Sequence, residues 1–401
     1  MSGRTRLVAG WLAWLVVAHA EAGFAEEGDV RRFRWHPSLT LHGLADDNVF
    51  QRRRDPEGDV ALWVQPALEL GYRGRAYDLG AEVGADFRQY LDTRELDDQV
   101  FYRAKADVEL GLWRGLTLRL SDVYTPQPQF LGLPEDQGSN LQQTNLASAE
   151  LRFAHAFDSI REVIFALEGA RFDTERFTLL NTGQGAQRRA GGRFRADYWQ
   201  GGGSVELRRA FGRRSALYAR GRVRARQFDE DPSADHTLYM GRLGFETRLL
   251  SRLELELAGG YGVIDFVRRS DVPRLLGSAQ LRYRHRRGWN FEAGAHSRFT
   301  SDLQGGEFHD TTGRVGIEKE FGPRTTGEIE GFLTYLDAEG SRDFAGSPST
   351  NFFGGVEVRV RRQLGTRLQL ILGYRHWANR GAYTLDDFDQ NRVTATLSYR
   401  Y

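Results

Sequence analysis

Arg392-Val393-Thr394-Ala395-Thr396-Leu397-Ser398-Tyr399-Arg400-Tyr401 closes the chain. Val393, Ala395, Leu397, Tyr399 and Tyr401 share one parity, and Arg392, Thr394, Thr396, Ser398 and Arg400 share the other. Successive side chains of a strand point to opposite faces, so this stretch predicts a strand with one apolar and one polar face. A last strand ending on an aromatic suits a bacterial outer-membrane barrel, whose wall it closes and whose interfacial girdle takes the ring. Leu397, Tyr399 and Tyr401 are accordingly the expected signal for barrel-assembly machinery.

The other end predicts the same compartment. Arg4 and Arg6 precede an apolar run from Leu7 to Ala18, and Ala18-His19-Ala20 offers a small-x-small cleavage site. Residues 1–20 are expected to be a secretory signal peptide, and 21–401 one outer-membrane barrel domain. A membrane anchor is the alternative, but the run is shorter than the roughly 20 apolar residues that cross a bilayer. Without that leader, 53 basic residues (55 less Arg4 and Arg6) face 54 acidic ones.

Mean hydropathy is −0.53, and aromatics make up 12% of the chain with 46 glycines. No segment after the leader is apolar enough for a transmembrane helix, but barrel strands need an apolar residue only at every second position. Cysteine is absent, which excludes disulfides and thiolate metal sites. No cofactor or metal is expected. The acidic loop clusters Asp229-Glu230-Asp231 and Asp386-Asp387 with Asp389 lack calcium-loop spacing and are expected to be solvated charge. Basic residues balanced by acidic ones give no basis for binding nucleic acid.

Alternation recurs throughout. Tyr77, Leu79, Ala81, Val83, Ala85 and Phe87 oppose Asp78, Glu82, Asp86 and Arg88; Leu275, Ala279, Leu281 and Tyr283 oppose Gln280, Arg282 and Arg284. Eight short turns, from 73–76 to 364–366, alternate with nine long polar loops, from 44–59 to 378–390. The expectation is an all-β protein: a single transmembrane antiparallel up-and-down β-barrel of about 18 strands (16–18). Short turns and both termini would be periplasmic and long loops extracellular. The spans 123–144 and 172–210 are irregular, and Gly201-Gly202-Gly203 is expected to mark a bulge or bend. Trp35, Trp113, Trp289, Tyr72, Tyr77, Phe157 and Phe321 fall at expected periplasmic ends and form a candidate aromatic girdle.

Leu39-Thr40-Leu41-His42-Gly43 is followed by Ala45-Asp46-Asp47-Asn48-Val49-Phe50. A first strand entering an Asp-Asn-x-Phe loop (Asp47, Asn48, Phe50) before an alternating return strand, Leu62–Tyr72, resembles the β-barrel porin type 2 family. The resemblance implies an outer-membrane barrel associated with exopolysaccharide production. Its implied partners are an anionic polysaccharide and a periplasmic export component. From the residues alone, Asp47-Asn48 is an Asx turn capping the first hairpin.

One strand carries Arg220, Arg222, Arg224 and Arg226 on its polar face; Arg282, Arg284 and Arg286 make a second run, and Arg359, Arg361, Arg367 and Arg375 populate late strands. Guanidinium forks recognise carboxylate and phosphate bidentately, so lumen-facing ladders suit a path for anionic solutes. The alternative is a paired wall, in which Glu246, Glu254, Glu256, Glu318, Glu320, Glu328, Glu330 and Glu357 neutralise the arginines across strands. Early strands carry inward acids, Glu69, Asp78, Glu82, Asp86, Asp107 and Glu109, which sets a transverse field across a pore.

The functional expectation is an outer-membrane channel for polar or anionic solutes, most specifically in exopolysaccharide export, in contact with outer-membrane lipid and lipopolysaccharide. The rival is a non-conducting structural or adhesive barrel, with the 123–144 and 172–194 loops folded inward and every lumen arginine paired. A lipid-modifying enzyme is the third reading; it needs a polar Ser–His contact on the barrel, and the sequence shows no nucleophile elbow.

Overall fold

The computed structural model describes residues 32–49, 56–74, 76–92, 99–128, 141–174, 197–229, 232, 235–268, 270–301, 307–337, 350–381 and 387–401. The expected leader, residues 1–20, and Phe50 of the Asp-Asn-x-Phe loop lie outside them.

Eighteen strands follow one another: β1 (Arg32–Asp46), β2 (Asp59–Arg73), β3 (Tyr77–Tyr90), β4 (Gln99–Trp113), β5 (Leu116–Pro128), β6 (Leu141–Ala156), β7 (Arg161–Thr174), β8 (Tyr198–Phe211) and β9 (Ser215–Phe228) form the first half. The second half is β10 (His236–Leu250), β11 (Leu253–Phe266), β12 (Val272–His285), β13 (Trp289–Ser301), β14 (Glu307–Gly322), β15 (Thr325–Asp337), β16 (Thr350–Gln363), β17 (Leu368–Gly381) and β18 (Phe388–Arg400). Each pairs antiparallel with its sequence neighbours, and β18 returns to β1 through Ser38↔Arg400 to Asp46↔Arg392. Closure removes both sheet edges, which an open sheet could not leave unpaired in lipid.

The eight short connections fall where the sequence places them, and the expected strand count and topology hold. Gly115 (φ 80°), Gly212 (φ 71°) and Gly288 (φ 71°) supply the left-handed residue in three turns. Two local expectations are corrected. The 123–144 span is not all loop, because β5 continues to Pro128 and β6 begins at Leu141. No bulge occurs at Gly201–Gly203, where the ladders to β7 and β9 run in constant register. Register shifts lie instead beside periplasmic turns, between Gly111 and Trp113, Arg248 and Leu250, and Glu320 and Gly322.

The two faces separate as alternation requires. Outward residues are large, apolar and exposed, among them Leu62, Val83, Leu167, Leu243, Leu275 and Val393. The periplasmic rim carries exposed Trp35, Trp113, Phe157 and Phe321, with Tyr72 stacked on Tyr77 at 5.6 Å and Trp35 6.2 Å from Tyr401. The Tyr401 amide donates to the Pro37 carbonyl at 3.0 Å, so the terminal aromatic ties β18 to β1.

Inward residues follow a gradient along the barrel axis. Near the long-loop end most are buried, including Asp46, Trp63, Arg88, Phe101, Thr144, Phe172, Arg226, Leu238, Ile264, Leu336, Asn379 and Arg392, while Arg298 on β13 stays exposed. Toward the short turns Glu69, Glu109, Arg119, Arg220, Arg282, Arg284 and Arg314 are exposed. The interior is therefore filled near its extracellular end and open to water toward the periplasm.

Two ladders stop short of their strand ends. Pairing of β4 with β5 ends at Ala104↔Tyr124, leaving Thr125–Pro128 beside β4 unpaired; Pro126 and Pro128 in this stretch bring no N–H. Pairing of β12 with β13 ends at Gly277↔Ser297, although β12 starts at Val272 and β13 runs to Ser301.

Candidate functional site

The inner wall of β7–β11 holds the first arginine ladder. The Arg220 Nε donates to Glu206 Oε2 at 2.7 Å. The Arg222 Nη2 reaches both Glu168 oxygens, at 2.6 and 2.7 Å. Cross-strand spacing places these forks, since Glu206↔Arg220 and Glu168↔Gly202↔Arg224 are aligned and glycine at 202 leaves room above β8. A Cβ at Gly202 would stand 2.5 Å from the Val223 carbonyl. Arg224 is half-buried, and Arg226, 3% exposed, lies 4.4 Å over the Tyr198 ring while donating to Gln200 at 3.0 Å. The ladder thus climbs from the watery vestibule into the filled end. Only its lower members meet solvent.

The neighbouring sector is also paired. Arg208 meets Glu246 at 2.6 Å, Arg248 meets Glu254 at 3.2 Å, and Glu256 accepts the Tyr218 hydroxyl at 3.3 Å. Further round, carboxylates are shared. Glu292 serves Arg282 at 3.6 Å and Arg314 at 3.1 Å, and Glu357 serves both Arg359 and Arg375 at 2.8 Å. Arg284 and Arg361 are exposed on the inward parity of β12 and β16 and have no carboxylate partner among the described residues. Arg286 and Arg367 differ from expectation. Both lie in periplasmic turns rather than on strands, and Arg367 sits 4.4 Å over the Tyr401 ring.

Half-exposed pairs of this kind each contribute roughly 0–1 kcal/mol, so they shape potential more than stability. Inward Glu318, Glu320, Glu328 and Glu330 share this β12–β17 wall, so its charges are balanced in number, but Glu292 and Glu357 are each divided between two guanidinium groups and Arg284 and Arg361 are left unmatched. The opposite wall is acidic in composition, but its charges are largely met: Glu69 by Arg400 at 2.5 Å, Asp78 by Arg73 at 3.1 Å, Asp107 by Lys105 at 2.8 Å and Glu109 by Arg119 at 2.8 Å.

The Asp-Asn loop has a role beyond turn capping. Asp46, not Asp47, makes the Asx turn by accepting the Asn48 amide at 2.9 Å. Asp47 accepts the Asn391 amide and side chain, each at 2.7 Å, and the Asn48 side chain donates to the Asp389 carbonyl at 3.0 Å. Asp46 itself binds Arg392 at 2.9 Å and Gln390 at 2.8 Å. The start of the first loop is thereby fastened to β18. Asp229 and Asp389, expected as solvated loop charges, are held by Arg171 at 2.6 Å and Arg380 at 2.8 Å; Glu230, Asp231 and Asp386 lie outside the described residues.

Sequence reasoning missed the apolar residues on the inward parity. Leu44, Val49, Ala61, Trp63 and Tyr90 form one buried cluster; Leu238, Ile264, Phe266 and Leu276 form another, joined by Phe299 from the outward parity of β13. Adjacent apolar pairs such as Leu275-Leu276, which break alternation, were the available signal. It also missed a Ser–His contact of the kind the enzyme reading needs: Ser297 Oγ lies 2.7 Å from His309 Nε2. Both side chains also contact the Leu275 carbonyl, at 3.2 and 3.3 Å, and the nearby Asp337 carboxylate is taken by Arg274 at 3.0 Å. The pair seals an open ladder and has no orienting acid among the described contacts. The inward folding of loops that the non-conducting reading requires concerns 129–140 and 175–196, which lie outside the described residues.

No protein-family model matches the chain, and no curated protein matches it in sequence. Solved structures do match. OpdK of Pseudomonas aeruginosa, an outer membrane protein solved with vanillate, gives a TM-score of 0.53 at 15% identity over 92% of this chain and 99% of that one. OccAB4 of Acinetobacter baumannii gives 0.55 at 10% identity over 92% and 98%. OpdQ of Pseudomonas aeruginosa gives 0.51 at 14% over 92% and 99%. What these likenesses share is the fold, and with its apolar outer surface the chain is an eighteen-stranded antiparallel β-barrel of the outer membrane.

Proposed function

We propose that the protein is a channel for small carboxylate-bearing solutes, which descend through the filled extracellular end into the arginine-lined vestibule. The observation that carries this reading is the set of accessible guanidinium forks on the watery part of the β12–β17 wall, where Arg284 and Arg361 are unmatched and Glu292 and Glu357 are each shared by two arginines. Weak, exposed pairs exchange readily, so an incoming carboxylate can take a fork from its resident partner and pass to the next. OpdK, similar in fold, was solved with vanillate, itself an aromatic carboxylate.

Conduction of an anionic polysaccharide is the finer form of the proposal and rests on the Asp47-Asn48 resemblance. The filled extracellular end favours small solutes over a chain, which needs a continuous wide bore. Removal of residues 1–20 on export and recognition of the Leu397–Tyr401 strand by assembly machinery belong to the same reading. The test is swelling of liposomes containing the refolded barrel. Benzoate-sized carboxylates should enter several-fold faster than neutral sugars of equal size; equal rates would defeat the proposed selectivity.

A further inference from the structure

The wall between β12 and β13 is held differently from the rest of the barrel. Above Gly277↔Ser297 the backbone ladder is replaced by side chains, with Ser297 and His309 serving the Leu275 carbonyl. An ion pair from Arg274 on β12 to Asp337 on β15 spans two intervening strands. Phe299, on the outward parity of β13 but only 9% exposed, turns its ring through the open seam and packs against Leu276 and Gly262, where a Cβ would stand 2.8 Å from its ring. Side-chain seals open at lower cost than a continuous ladder, whose unpaired N–H and C=O groups lipid cannot satisfy.

Directly inside this seam lies the cluster of Leu238, Ile264, Phe266 and Leu276, an apolar patch on an otherwise polar wall. Beneath it Arg242 lies across β11 at Gly260, where a Cβ would stand 2.8 Å from its Cγ, and donates to Ser278 at 2.8 Å. Its Nε is buried without a hydrogen-bond partner, and it meets no carboxylate among the described residues. Gly260 is level with Leu276, so the guanidinium and the apolar patch adjoin. Barrel strands cross lipid in about 9–11 residues; counted from the periplasmic end of β12 at His285, that places Leu275, 76% exposed, at the outer boundary of the bilayer.

We propose that the β12–β13 seam is a lateral port for a single-chain amphiphile with an anionic head. The carboxylate binds Arg242, the tail takes the place of Phe299 against Leu276 and Ile264, and Phe299 swings out to admit it from the outer leaflet. The β4–β5 seam differs, because the inner wall on the β4 side of it carries a buried ion pair, Arg88–Asp86, with the Arg88 guanidinium over the Trp63 and Phe101 rings. The port is independent of ion conduction, so it stands or falls apart from the channel reading.

The experiment places a long-chain fatty acid bearing a terminal diazirine in phosphatidylcholine vesicles with the reconstituted barrel, followed by illumination and mapping of adducts. Inward Leu276 and Ile264, and Phe299 in the seam, should be labelled, with several-fold loss in excess unlabelled fatty acid or in Arg242→Gln. Labelling should rise several-fold in Phe299→Ala, which leaves an apolar cavity for the tail. Adducts confined to outward residues such as Leu275 and Tyr261, at the level of other strands, would overturn the port. So would inward labelling in the wild-type protein that excess fatty acid does not reduce.

Discussion

Asp46 shows what a single residue holds in this barrel. Its side chain is 1% exposed, bound by Arg392, Gln390 and the Asn48 amide, and it joins the first strand to the last. Removing one partner of such a buried pair leaves the other charged and unsatisfied, at a cost of about 3–5 kcal/mol. Asp46→Asn should lower the midpoint of guanidinium unfolding in micelles, followed by tryptophan fluorescence; an unchanged midpoint would show that the latch does not hold the seam. The sequence displayed Asp46 to Asn48 but not their partners, because Gln390 and Arg392 lie more than 340 positions away. The arginine ladder shows the same limit. Parity placed Arg220 to Arg226 on one face correctly, but the depth that buries Arg226 and leaves Arg220 in water belongs to the closed ring.

At the scale of elements, alternation and loop length were enough to read strand order, faces and connections, since both are local properties. Ends were harder to read. Polar Gln127 and Gln142 look like loop, yet β5 and β6 carry their ladder to Pro128↔Leu141, since above the bilayer polar residues suit both faces of a strand. The turn between β6 and β7 yields a prediction of its own. Asp158 accepts from the Ile160 and Arg161 amides at 2.8 and 2.7 Å and from the Arg161 guanidinium at 2.9 Å. Those contacts, led by Arg161, hold its carboxyl below the usual aspartate value. A depressed folded pKa means the support is complete above the unfolded value and lost as pH falls through the folded one. Protection of the Ile160 and Arg161 amides from hydrogen exchange should therefore persist through neutral pH and collapse only on strong acidification. A collapse near pH 6 would show that another group governs the turn.

For the whole molecule, the decisive property is the axial gradient, filled near the long loops and watery near the short turns. No local pattern announces it, because it arises from eighteen strands converging on one interior. For the proposed channel it puts the resistance at the extracellular end and the selectivity below, at Arg284, Arg361 and the lower ladder. Conductance should be small and stepwise rather than that of a wide open pore. Current through single refolded barrels in planar bilayers under a salt gradient tests this most directly. The account predicts a reversal potential of anion-selective sign, moving toward zero when Arg220, Arg222, Arg284 and Arg361 are changed together to Gln. A folded barrel that passes no current, or one that prefers cations, would contradict it.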